Sequence, residues 1–144
     1  MDNKEFSKEL EKRTRQFSVR IIRLSTTLPN TPEGRVIRNQ ITKSGTSIGA
    51  NYREANRARS KADFKNKIKI CESEASETQY WIEVILEIKW LSREEVNADY
   101  EECSELLAIF TSIGASRCEA IIKLSHFATL AHFKLLLPAL CVCM

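Results

Sequence analysis

Apolar side chains recur along the chain at intervals of three and four residues, the spacing of one face of an α-helix. The first set is Phe6, Leu10, Phe17, Ile21, Leu24 and Leu28, with the long stem of Arg13 filling the gap between Leu10 and Phe17. It predicts a helix that stops near Pro29, because the residue before a proline avoids the α region. Pro29-Asn30-Thr31-Pro32-Glu33-Gly34 reads as a loop, with Thr31 capping the next helix and Pro32 at its first position. A second helix then runs from about Pro32 to Arg57 on the stripe Val36/Ile37, Ile41, Ser44, Ile48, Asn51/Tyr52 and Ala55. Its middle (Ser44, Gly45, Ser47, Gly49, Ala50) is built of small residues. Glycine inside a helix costs about 1 kcal/mol against alanine, so two of them imply a neighbouring helix in close approach.

Ser60-Lys61-Ala62-Asp63 is a capping box with Asp63 in the place of the usual Glu or Gln, and it opens a third helix to about Leu91. Phe64, Ile68, Cys71, Ala75, Thr78, Ile82, Ile85 and Lys89 form a seven-residue repeat, widened by Trp81, Leu86 and Ile88. Such a repeat implies near-parallel helix axes with a left-handed coil. Ser92 and Glu95 form a second capping box, and Val96, Tyr100, Cys103, Leu107, Phe110 and Ile113 carry the pattern through a fourth helix. Four helices with short connections define an all-α, antiparallel up-and-down four-helix bundle. The bundle domain is expected over residues 1–117, with an apolar tail over residues 118–144.

Composition agrees. Only four glycines and three prolines occur in 144 residues, which leaves room for few turns. From Leu124 to Met144 the one charged residue is Lys134, but His126, His132, Lys134 and Pro138 interrupt the stretch, so it is not read as a membrane span. The N-terminus alternates acids and bases with no apolar core of a secretory signal. The five cysteines (Cys71, Cys103, Cys118, Cys141, Cys143) are odd in number and irregularly spaced. They are read as reduced thiols of a cytoplasmic protein. Cys141-Val142-Cys143 with His126 and His132 lacks zinc-ligand spacing, so no metal and no cofactor is expected.

Charge is distributed unevenly. Residues 1–70 carry 17 Lys/Arg against 7 Asp/Glu, whereas residues 71–105 carry 2 against 11. The basic part is densest between the second and third helices, where Arg53, Arg57, Arg59, Lys61, Lys65 and Lys69 form a corner suited to phosphates. The competing reading is that basic and acidic stretches pair with each other across helices or subunits. Tyr52 and Phe64 are the only aromatics among these residues, so stacking on single-stranded bases has little support.

Enzymatic signatures are missing from the sequence: there is no phosphate-binding glycine loop, no H-E-x-x-H and no G-x-S-x-G. Glu94/Glu95 and Glu101/Glu102 fall on an outer polar face, and no enzyme is expected. Ser44, Ser47, Asn51 and Glu54 share a face of the second helix, and Ser73 and Glu77 form a similar line on the third. They suit either a polar pocket or an interhelical hydrogen-bond network that fixes register.

The run Gln40-Ile41-x-x-Ser44-x-x-Ser47-Ile48-x-x-Asn51-x-x-Glu54, then Arg57-x-x-Ser60-x-x-Asp63-Phe64, resembles the 23S rRNA-intervening-sequence family of four-helix bundle proteins. Phe17, Leu28-Pro29, Cys71-x-Ser73-x-x-x-Glu77 and Tyr80-Trp81 extend the match over roughly residues 10–115. The resemblance implies a small bacterial cytoplasmic bundle that assembles as a homopentamer. It also implies a fold similar to the accessory protein of diversity-generating retroelements, which binds a reverse transcriptase and nucleic acid. Ala55 stands where the family usually has glycine, and the sequence beyond about Arg117 departs from the family. The resulting expectation is a self-associating protein that binds RNA or DNA through the basic corner, the rival being a scaffold for a protein partner.

Overall fold

The structure is a computed structural model and describes residues 3–115. Four helices follow one another: α1 (Asn3–Thr27), α2 (Pro32–Ala55), α3 (Lys61–Glu87) and α4 (Arg93–Ala115). Side-chain contacts between neighbours run in opposite order along the chain. On α1 and α2, Glu11 meets Arg53 and Ser18 meets Gly45. On α2 and α3, Ser44 meets Thr78 and Ile48 meets Cys71. On α3 and α4, Ala75 meets Cys103 and Glu83 meets Tyr100. Each helix is thus antiparallel to the next, giving the expected up-and-down bundle. The apolar tail, the 117/118 boundary, Cys118, Cys141, Cys143, His126 and His132 lie outside the described residues.

The core is one cluster running the length of the bundle through Phe17, Ile21, Ile41, Ile48, Ile68, Ile82, Ile85, Val96, Leu106 and Phe110. The seven-residue repeat of α3 is buried from Ile68 to Ile85, with Phe64 half-buried at its start. Three expectations need adjustment. On α1 it is Thr14, not Arg13, that is buried, because Arg13 turns to α4 and pairs with Glu102. On α4 Leu106 is fully buried and Leu107 only half, the core face stepping three residues from Cys103 to Leu106 and then four to Phe110. Val36 is exposed beside half-buried Ile37.

The end of α3 also comes earlier than Leu91. Ile88 is its C-cap, and Lys89 has φ of 58°, in the left-handed region. The Lys89 N–H donates to Leu86 O at 3.0 Å and the Trp90 N–H to Ile85 O at 3.1 Å, a Schellman closure. Lys89 and Ile88 therefore leave the repeat and face solvent. Glycine normally fills this position, and a side chain there costs about 1 kcal/mol. Lys89→Gly is expected to stabilise the bundle by about 1 kcal/mol in denaturant titrations, with unchanged slope.

The small middle of α2 meets α1, as its composition implied. A Cβ added at Gly45 would stand 2.7 Å from Ile21 Cγ2, and one at Gly49 would stand 3.3 Å from the Thr14 carbonyl oxygen. The start of α2 is capped as expected, Thr31 Oγ1 accepting from the Gly34 N–H at 3.0 Å. Arg38 Nη2 donates to the Leu28 and Pro29 carbonyls, tying the α1–α2 loop to the helix it precedes.

Cys71 and Cys103 are fully buried, each thiol facing a backbone carbonyl, Ile48 O at 3.6 Å and Ala75 O at 3.2 Å. Burial pushes both thiols up from 9.0 to about 12. A raised acid contributes stability that is complete below its free value and is lost as pH climbs through the folded one. Stability should therefore fall between pH 9.0 and about 12, and less steeply in Cys71→Ala/Cys103→Ala. At about pH 8, both thiols should resist alkylation until the chain unfolds, which peptide mass spectrometry reads directly.

Candidate nucleic-acid interface

The α2–α3 corner is shaped by its backbone. Asn56 caps α2 by donating its N–H to Tyr52 O at 3.1 Å, and the N–H groups of Arg57 and Ala58 continue the turn to Glu54 O and Ala55 O. Ser60 Oγ accepts from the Asp63 N–H at 3.1 Å and opens α3. The Asp63 carboxylate reaches back to the Arg59 N–H at 3.2 Å, one residue before the cap. Tyr52, Ala55 and Ile68 anchor the corner in the core, the Tyr52 ring lying 5.6 Å from that of Phe110.

The six basic residues predicted here divide into two groups. Arg53 Nε donates to Glu11 Oε1 at 2.7 Å, and Asn56 Nδ2 reaches the other oxygen of that carboxylate at 3.3 Å. Arg53 holds the Glu11 carboxyl below its usual range, against a smaller opposing effect of burial. Lys69 pairs with Glu72 at 2.7 Å, one turn along α3. Arg57, Arg59, Lys61 and Lys65 are exposed, and their side chains have no ion pair or hydrogen bond among the described residues. Lys67, not among the six, pairs with Glu54, and this raises its ammonium pKa.

Glu11 was invisible to a local charge count because it arrives from α1, 42 residues away. Part of the charge asymmetry is also satisfied inside the molecule. Arg13 grips Glu102 through two bonds of 2.6 and 2.9 Å and Glu105 at 2.5 Å, while Arg20 holds Asp99 at 2.6 Å. These pairs bridge α1 and α4. They leave the four corner cations untouched.

The polar set of α2 and α3 does not converge on a pocket. Ser44 is fully buried, its hydroxyl 3.0 Å from that of Thr78 on α3. Asn51 Nδ2 donates to Ser47 O within its own helix at 2.9 Å, and Glu54 turns to Lys67. Gln40, Ser47 and Asn51 are half-buried, Ser60 serves as the cap, and Ser73 and Glu77 are exposed. Glu77 accepts from Trp81 Nε1 at 3.2 Å. Among the described residues, no three His, Cys, Asp or Glu side chains cluster as metal ligands, and no helix is long and apolar enough to cross a membrane.

The fold and its basic corner are those of a small helical bundle protein with one strongly cationic end. A family model of the 23S rRNA-intervening sequence protein matches residues 8–112, and the chain belongs to that family. It is similar to a crystal structure of a protein with unknown function from the S23 ribosomal protein family of Bacteroides thetaiotaomicron. The two are 39% identical with a TM-score of 0.69, over 74% of this chain and 98% of that one. No curated protein matches the sequence.

Proposed function

We propose that this protein is a non-catalytic, self-associating cytoplasmic bundle that binds RNA through the α2–α3 corner. The observation that carries the reading is the set of four exposed cations, Arg57, Arg59, Lys61 and Lys65, none of them held in an ion pair among the described residues, although Arg57 lies near enough to Glu11 to help lower its carboxyl. Such groups gain free energy by releasing the counterions condensed on a phosphate backbone. Arg53 and Lys69 flank them in surface ion pairs, which contribute at most about 1 kcal/mol and yield readily to a phosphate. The family's description, a protein of the 23S rRNA intervening sequence, puts RNA ahead of DNA.

The corner offers little for reading bases. Tyr52 is buried and Phe64 half-buried, so no aromatic face is free there for stacking. Backbone contacts position a nucleic acid without specifying sequence, which suits structured RNA. Self-association multiplies this patch, converting weak single contacts into avid binding. The test is fluorescence anisotropy with labelled structured RNA and random duplex DNA at low and moderate salt. Salt-sensitive binding that favours RNA is expected. No binding at low salt overturns the reading and turns attention to an acidic protein partner.

A further inference from the structure

Five large apolar side chains of the described residues are exposed: Val19 (43%), Ile22 (45%), Val36 (57%), Tyr80 (55%) and Ile88 (42%). Four of the five fall on just two surfaces. Val19 and Ile22 belong to an outer line of α1, Lys8, Lys12, Arg15, Val19, Ile22 and Thr26, all exposed and spaced by alternating steps of four and three. Tyr80 and Ile88 belong to an outer line of α3, Ile70, Ser73, Glu77, Tyr80, Val84 and Ile88, spaced almost identically. These are second stripes, distinct from the core stripes of the same helices, and a sustained seven-residue spacing suits a helix–helix seam. Apolar groups gathered on a surface, unlike single scattered ones, mark an interaction site.

The two lines differ in charge. The α1 line carries three cations, with Arg23 beside it, and Lys12 lies 3.8 Å from Glu9. Residues 70–88, the last turns of α3 and its C-cap, hold five glutamates and no lysine or arginine. Burial and then Glu77 hold the Glu74 carboxyl above its ordinary range, against a smaller opposing effect of Lys43 on α2. α1 packs against α2 and α4, and α3 packs against the same two helices, which places α1 and α3 at opposite corners of the bundle.

We propose that the α1 line of one copy docks against the α3 line of a second copy, basic and apolar against acidic and apolar. This deepens the self-association in the reading above and rests on it. The contact is head-to-tail, because the two surfaces differ and lie on opposite sides, so it repeats until a ring closes or a filament grows. In an up-and-down bundle α1 and α3 run in the same direction. Packing them in parallel keeps every copy pointing the same way and sets all the α2–α3 corners on one rim.

The test is light scattering on the full chain, alone and in mixtures, with circular dichroism reporting the fold. The wild type should have a mass that is a multiple of 16.5 kDa, and V19E/I22E and Y80E/I88E should each be a folded monomer. Mixed one to one, these two variants should form a species of two chains, because each retains the surface the other lacks. R15E/R23E changes only exposed polar positions and should weaken assembly at least about tenfold, whether or not the apolar variants fold. A monomeric wild type would overturn both this seam and the self-association. An oligomeric wild type with unaffected variants would overturn the seam alone, and monomeric variants that stay monomeric when mixed would overturn the pairing of α1 with α3.

Discussion

Valine at Gly45 should lower the stability of the bundle by about 3 kcal/mol, at the upper end for an overpacked core. The glycine is where α2 lies closest to α1. A Cβ there would stand 2.7 Å from Ile21 Cγ2 and 3.0 Å from Ile21 Cβ. Ile21 is fully buried and β-branched, so its χ1 has little freedom to turn away. The helices must separate, and Phe17 and Ile48 in the same core then lose contact. Alanine at Gly45 should cost less, because the strain is partly offset by about 1 kcal/mol of helix propensity. Gly114→Ala is the control with the opposite sign. The nearest neighbour of a Cβ there is 3.8 Å away, so propensity acts alone and stability should rise. Denaturant midpoints at constant slope check all three. If Gly45→Val unfolds no earlier than wild type, the close α1–α2 approach is wrong.

Removing the four free cations together, as Arg57→Ala, Arg59→Ala, Lys61→Ala and Lys65→Ala, should cut RNA affinity at least about a hundredfold at low salt. The loss should be uniform across RNA sequences, as expected of phosphate contacts rather than base contacts. Stability should change little, because all four side chains are exposed and unpaired among the described residues. Arg53→Ala is predicted to behave differently. It strips Glu11 of its principal partner, letting that carboxyl rise toward its ordinary range and compete electrostatically with the phosphate.

The fold was legible because its local signals agree with one another. Thr31, Ser60 and the Ser92/Glu95 pair mark helix starts, and the apolar stripes run unbroken between them. The glycines of α2 announced the close approach before its partner helix was known. Errors arose where a side chain answered to something distant in sequence or to a backbone closure. Arg13 reaches α4, 89 residues away, and Lys89 follows the Schellman turn rather than the repeat. The candidate site was legible only as a charge density. Its division into tethered and free cations depends on Glu11, Glu54 and Glu72, and Glu11 comes from a helix that no local window includes. The outer lines of α1 and α3 were masked by the stronger core stripes on the same helices.

The central claim, phosphate binding by the α2–α3 corner, is tested most directly by the salt dependence of RNA binding in the wild type and the four-site variant. A linear fall of log affinity with log salt is predicted for the wild type. In the variant that slope should be shallower by about 3 if each lost cation had neutralised one phosphate. Equal slopes, or affinity that salt does not change, would contradict the claim.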